Sequence, residues 1–380
     1  MMSKPQTFCF ISLNPITPWG GSEELWFSTA IRLKDMGYKV CAIYYDWGIL
    51  TPFQIKQLMN KGVELYLIPS GSSFVARFNG LLNIFFGDYT LRVIGRFINY
   101  IKPDLVVHTT MAPRGADVLR SVIKQKIPYV LDIQLADEQL WHVFNQSSLE
   151  CYNNAQAVFF LSDKNKLACE KQLGQRLDNA KRHYNPINVV GLNFRKLSDI
   201  SGVHFLNVAR MGVEHKRQDL LLEILAQNKW KQRNWVLHFF GGGEHFTTIE
   251  RLIKYYSIGD KVVLEGQVKE QYDIWSKGQV LLMPSVYEGM SLAVIECMYA
   301  GRVPIVTNTG ANSELITNGK QGFIAEAATQ TLFDKCMEDA WDNMDRWEAI
   351  GEAARAIVSE KIPHDPVDYY ITQLIQYIGK

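Results

Sequence analysis

The chain has 380 residues, 47% hydrophobic and 21% charged, a balance that excludes disordered, collagenous and coiled-coil chains and leaves length for two domains. Forty basic residues against 39 acidic ones give a net charge of +1, and no Lys/Arg block is present to grip a polyanion, so no nucleic-acid partner is expected. The six cysteines (Cys9, Cys41, Cys151, Cys169, Cys297, Cys336) form no C-x-x-C pair and read as reduced thiols, the opening MMSKPQTFCFISLNP carries too short an apolar run for a signal peptide, and no uncharged stretch approaches the ~18 residues of a spanning helix.

Short β-branched or aromatic runs alternate with helical patterns, the rhythm of parallel sheets with crossover helices. Strands are expected at Thr7–Leu13, Lys39–Tyr45, Val63–Ile68, Asp104–Thr109, Pro128–Gln134 and Ala157–Leu161, with helices notably at Glu23–Met36, Arg114–Lys124 and Glu138–Asn153. After Tyr184 the rhythm breaks in NPINVVGLNFRKLSDISG, a linker assigned to 185–200. It restarts with strand Val203–Ala209, helix Arg217–Ala226, strand Trp235–Phe240, helix Phe246–Tyr256 and strand Lys261–Leu264. A helix near Tyr272, strand Val280–Met283, helix Ser291–Ala300 and strand Val303–Thr307 follow. The expected organisation is a first domain over 1–184, a second over 201–360 and a C-terminal helix in 361–380 that packs back on the first. Both domains read as doubly wound, which puts the ligand in a cleft between them, outside the carboxyl ends of the strands.

Segment Phe74–Lys102 places Phe74, Phe78, Leu81, Leu82 and Phe85 at helical spacing with Arg77, Arg92, Arg96 and Lys102 nearby. A helix packed on its own sheet is the preferred reading, and contact with a membrane surface carrying a lipid-linked acceptor is the alternative.

No G-x-G-x-x-G follows a strand, and no P-loop, H-E-x-x-H or D-x-D is present, so NAD-type, P-loop and metal-dependent chemistries are not expected. In the loop before the first helix, Gly20 and Gly21 would let backbone approach a ligand, and helix-start amides favour an anion such as a diphosphate; an ordinary capped turn explains them equally well. Arg210 closes the first strand of the second half and Lys216 opens the next helix. Two permanent cations there would neutralise a departing diphosphate. A solvated loop with Lys216 on Glu214 would need no function.

The richest segment is LLMPSVYEGMSLAVIECMYAGRVPIVTNTG, where a strand runs into Glu288 and Gly289 and then into a helix whose first amides belong to Met290, Ser291 and Leu292. Those amides suit an anion or a hydroxyl. Glu296 is the only charge in the run Met290–Ala300. A buried carboxylate without partners costs several kcal/mol, and sugar hydroxyls would satisfy it; a backbone-satisfied glutamate is the alternative. Gly289-Met290-Ser291-Leu292-Ala293 approximates a nucleophile elbow, but His364 is the only histidine after it, which sets a hydrolase aside.

Taken together, GGSE in the first loop, VAR with its later lysine, GGGE after Phe240, VVLEGQV, the Glu288-x7-Glu296 pattern and TGANSELITNGKQGFIA resemble the retaining GT-B glycosyltransferases of family four, the group 1 nucleotide-sugar transferases. The resemblance implies an α/β fold of the GT-B class, two Rossmann-like doubly wound parallel-sheet domains facing a central cleft. It implies a catalytic set of Arg210, Lys216 and Glu288, with the two cations on the diphosphate and Glu288 on the donor sugar beside the amides of Met290, Ser291 and Leu292. Gly21 would lie against the diphosphate, Glu296 would bind the ribose hydroxyls, and the backbone near Gln267 and Val268 would face the base. Arg217 stands where the family usually has glycine. His108 and His142 are candidates for the family's histidine near the donor sugar, and neither is expected to act. The implied activity is transfer of a hexosyl-type group from a nucleotide diphosphate sugar to a sugar or lipid-linked glycan hydroxyl, with retention and without metal or other cofactor. Its setting would be polysaccharide or glycoconjugate biosynthesis, in the cytoplasm or at the inner membrane face through residues 74–102. A catalytically silent nucleotide-sugar binding subunit and a GT-B epimerase are the alternatives.

Overall fold

The computed structural model describes residues 5–14, 18–48, 52–69, 89–113, 116–136 and 146–379. The chain forms two compact units, one running to Pro186 and resumed from Asp365 onward, the other continuous from Ile187 to His364.

The first unit is built on seven strands, β1 (Thr7–Ser12), β2 (Lys39–Asp46), β3 (Glu64–Pro69), β4 (Leu105–Ala112), β5 (Tyr129–Ala136), β6 (Ala157–Phe160) and β7 (Ala180–Arg182). Every pairing is parallel, in the order β3-β2-β1-β4-β5-β6-β7. A central parallel strand is covered on both faces, so β1 reads as the unbroken run TFCFIS and all six of its residues are buried. Phe8 and Phe10 enter a core with Trp26 and Tyr370, while Cys9 and Ile11 enter the opposite core with Ile94 and Ile98. The strand order reverses between β1 and β4, which opens a crevice at their carboxyl ends. The helix Pro366–Ile375, capped by Asp365, closes one core of this unit through Val367, Tyr370, Ile371 and Leu374. Asp365 also pairs with Arg32 on the helix Gly21–Asp35, at 2.5 Å.

The helix Tyr89–Ile101 buries Ile94, Gly95 and Ile98 on the sheet side and exposes Arg92 and Arg96. The remainder of the amphipathic segment, Phe74, Arg77, Phe78, Leu81, Leu82 and Phe85, lies outside the described residues. Where one helix was expected over Arg114–Lys124, a 3-10 turn (Ala116–Leu119) leads into a short α-helix (Arg120–Lys124), and Gln146–Asn154 is the described part of the helix expected from Glu138.

The second unit repeats the topology with six parallel strands, β8 (Val203–Val208), β9 (Trp235–Phe240), β10 (Val262–Gly266), β11 (Val280–Met283), β12 (Val303–Thr307) and β13 (Phe323–Ala325). Their order is β10-β9-β8-β11-β12-β13, so its reversal falls between β8 and β11. Phe205, Leu237, Phe239, Leu282 and Ile305 pack with Trp230 and Trp235 on one face. The helix Leu292–Tyr299 buries all six residues from Ala293 to Met298, which explains its nearly uniform apolar sequence. The six cysteines are free and buried, and no described helix is long and apolar enough to cross a membrane.

Candidate active site

At the reversal in the second unit, the loops leaving β8 and β11 are neighbours because their strands are paired. Glycines after β9 shape the first loop. A Cβ on Gly241 would stand 2.2 Å from the Ala209 carbonyl oxygen, and one on Gly243 would stand 2.5 Å from that of Met211. Only bare backbone fits, and the Met211 amide donates to the Gly242 carbonyl at 2.9 Å. The Gln218 side-chain amide donates to the Arg210 carbonyl at 3.0 Å. The Arg210 guanidinium itself pairs with Glu244 at 3.1 Å, with side chains 39% and 60% exposed. A pair that exposed holds by at most about 1 kcal/mol, so an arriving phosphate can displace it.

Lys216 closes the one-turn helix Val213–Lys216. Its Nζ stands 2.6 Å from Glu288 Oε1, so the surface-loop pairing with Glu214 is not the one the fold makes. The reason lies in the backbone: the Val286 amide donates to the His215 carbonyl at 2.8 Å, tying the β8 loop to the β11 loop and aiming Lys216 at the residue two further on. Arg217 then takes a left-handed conformation (φ 52°), and its guanidinium bonds Asp219 and the Ala328 carbonyl.

Beyond Glu288, Gly310 presses on the loop from the next strand, where an added Cβ would fall 2.3 Å from the Gly289 carbonyl oxygen and 2.6 Å from that of Glu288. Met290 and Ser291 are buried, and Ser291 precedes the helix Leu292–Tyr299 without capping it through its side chain. The first amides of that helix are therefore left for another acceptor. In the same helix Glu296 is buried, and burial pushes its carboxyl up to about 7 against a lowering hydrogen bond from Trp275. Gln267 and Val268 follow β10 directly, and Gln267 lies beside Gly242. The second unit thus gathers Arg210, Lys216, Glu288 and the Met290–Leu292 turn at one end of its sheet, with Glu296 on the helix that follows and Gln267 and Val268 at the end of β10.

Gly21 belongs to the first unit, where it opens the helix Gly21–Asp35 after Gly20, again without a side-chain cap. Glu23 is buried between Asn14 Nδ2 (3.3 Å) and Ser22 Oγ (2.7 Å), and burial raises its carboxyl to about 7. Within the paired strands β4 and β5, buried Asp132 accepts from Thr109 Oγ1 (3.1 Å) and Gln134 Nε2 (2.9 Å), and burial raises it to about 7 as well. Asn185 in turn donates to Gln134 Oε1 at 3.0 Å. His183 stands 3.0 Å from Asp132 and is kept neutral by burial, its value pushed down to about 3. Alternation placed Asp132 on a strand interior, and an acidic residue there is the signal that could have exposed this cluster. His108 is buried with Nδ1 3.1 Å from the Ile11 carbonyl oxygen, tying β4 to β1. His142 lies outside the described residues.

Residues 198–357 match the model of the family described as glycosyl transferases group 1. N-acetyl-alpha-D-glucosaminyl L-malate synthase of Bacillus anthracis is 27% identical over 128 residues, 33% of this chain and 33% of that protein. The chain therefore spans about a third of the length of that curated relative. Among solved structures, Anabaena HepE in complex with UDP and glucose superposes with a TM-score of 0.72 at 16% identity, over 98% of both chains. A mutant of S. aureus TarM, in complex with fondaparinux, alpha-GlcNAc-glycerol and UDP, does so at 0.74 and 12% identity, over 99% of this chain and all of the other. At such identities the superpositions show the fold, which is the two-domain GT-B architecture.

Proposed function

We propose, from the premise that residues 198–357 belong to the group 1 glycosyltransferases within a GT-B fold, that this protein transfers a sugar from a nucleotide diphosphate sugar to a hydroxyl acceptor with retention. The observation that carries the reading is the 2.6 Å pair of Lys216 with Glu288 at the strand-order reversal, beside an Arg210 held only by a surface contact. A diphosphate arriving there displaces the exposed Arg210–Glu244 contact and gains charge-assisted bonds to two cations. Glu288 and the uncapped turn at Met290, Ser291 and Leu292 then face the donor sugar and its phosphate. Glu296 accepts from the ribose hydroxyls, and the backbone at Gln267 and Val268 meets the base.

In the transfer step the bond from the anomeric carbon to the diphosphate oxygen breaks, and negative charge grows on that oxygen. Lys216 and Arg210 stabilise it, and the same oxygen takes the acceptor's proton as the acceptor oxygen bonds to the carbon on the same face. Positioning and fixed charge do the work, with no covalent enzyme intermediate. The two cations supply the charge that a divalent ion would otherwise bring, so we expect transfer to persist in EDTA. The acceptor class is a sugar or lipid-linked glycan, in cytoplasmic polysaccharide or glycoconjugate assembly. Because HepE and TarM are solved with UDP, uridine diphosphate sugars are the first donors to try.

Incubation with UDP-, GDP-, ADP- and CDP-sugars in EDTA, with glycan acceptors, tests this reading. The expected result is acceptor-dependent nucleotide release, with product NMR showing the donor's anomeric configuration. Nucleotide that binds but is never released would identify a binding module, a new sugar configuration without transfer would identify an epimerase, and strict metal dependence would remove the metal-free mechanism.

A further inference from the structure

We propose that His215 is a switchable third cation of the diphosphate site, a neutral ring in the free protein that takes up a proton when a nucleoside diphosphate settles between Arg210 and Lys216. The inference rests on the donor-site reading above and deepens it.

His215 sits on the one-turn helix next to Lys216, and it is clasped from two directions. Its backbone carbonyl accepts from the Val286 amide at 2.8 Å. Its ring meets the Tyr287 hydroxyl, which lies against Nδ1 and 3.0 Å from Nε2, with the two ring centres 4.6 Å apart. Tyr287 precedes Glu288, the partner of Lys216, so the ring is held beside the Lys216–Glu288 pair.

The polar and charged groups facing His215 come from three loops. Arg210 and Lys216 of its own loop oppose a proton on the ring, whereas Glu214 and, from the loop after β9, Glu244 favour one; Tyr287 brings a neutral hydroxyl from the loop after β11. Burial is the strongest influence and, with the cations, holds the ring below the ordinary histidine value. A diphosphate reverses that field. Its negative charges would offset Arg210 and Lys216 and attract a proton to the ring between them. The Tyr287 hydroxyl serves both states, donating to the neutral ring and accepting from the imidazolium, so the clasp persists while the charge changes. The proton comes from solvent on binding and returns to it when the diphosphate leaves; in between, it adds positive charge where the leaving group becomes more negative.

Isothermal titration calorimetry of the full chain with UDP, at pH 7 in buffers of different ionisation enthalpy, counts the protons exchanged. UDP's own titration and that of Glu296 are common to the wild type and His215→Gln, and they cancel in the difference between the two proteins. The wild type should take up a fraction of a proton more than His215→Gln, and its UDP affinity should gain up to about tenfold over the variant's as pH falls from 8 to 6. His215→Asn should behave like His215→Gln. Equal proton counts with UDP bound in all three proteins would overturn the switch and leave the donor site standing. No binding heat with UDP, GDP, ADP or CDP in any of them would overturn the donor-site reading, and this inference with it.

Discussion

Burial holds the Glu296 carboxyl at about 7, so near neutral pH it is divided between its charged and neutral forms. In the unfolded chain the same group titrates near its ordinary 4.5, and between the two values the folded protein binds the extra proton. The stability associated with that proton is fully present below about 4.5 and is lost as pH rises through about 7. Glu296→Gln mimics the neutral form. It should therefore raise the melting temperature of the nucleotide-free protein at pH 8, by stability on the order of 3 kcal/mol, and leave it near the wild type at pH 5. The same variant should weaken UDP several-fold, because an acceptor oxygen becomes a donor. Scanning calorimetry and titration calorimetry check the two halves, and a melting temperature lowered at both pH values would mean that the hydrogen bond from Trp275 outweighs the cost of burying the charge. Lys216→Ala should cut turnover about 100 to 1,000-fold, more than it weakens binding, since its charge is needed most as the leaving oxygen becomes negative. Glu214→Ala, which alters an exposed residue outside the Lys216–Glu288 pair, should keep near-normal turnover. Steady-state kinetics on both would decide, and equal losses would count against a catalytic Lys216. The residue types at these positions were legible because each stood at the end of a strand pattern or alone in an apolar run. Their pairings were not, since Lys216 takes a partner 72 residues away rather than the glutamate two residues away.

Among the elements, the central strands were readable from continuous apolar runs, and β9, β11 and β12 fall where those runs begin and end. β7 and β13 were missed because three residues are too few to show a period. One expected helix, Arg217–Ala226, is in fact preceded by a separate turn, Val213–Lys216, because the left-handed Arg217 divides them. Glycine contacts were also invisible in the sequence, as they depend on which loop lies overhead. Gly310 is the sharpest case, with φ 50° and no room for a side chain against Gly289 and Glu288. Gly310→Ala should shift the Glu288 loop, lowering kcat/KM by roughly tenfold or more, since a small misplacement of catalytic groups has effects of that size. Gly319→Ala, also at positive φ but with nothing within 4 Å, is the control for backbone strain alone. Similar activity losses in the two variants would argue against a positioning role for Gly310.

At the scale of the molecule, two units of similar topology are threaded differently, because the second is continuous and the first is completed by the segment from Asp365 onward. Ending the chain at His364 would strip Val367, Tyr370, Ile371 and Leu374, each at most 4% exposed, from a core that includes Phe8, Trp26 and Phe159. Burying such a side chain contributes about 1.5–3 kcal/mol, so the truncated chain should lose most or all of the first unit's stability while the second still melts cooperatively. Calorimetry resolving the two transitions checks this, and an unchanged first transition would show that the helix is dispensable. The same threading imposes an order in time. A ribosome emits about 180 residues of the second unit between the two parts of the first, an interval of roughly 10–35 seconds at ~5–20 residues per second. The second unit can finish folding while the first still waits for its last helix with an apolar face uncovered. The unit begun before the other is thus completed after it, and it is the one that chaperones and proteases meet unfinished.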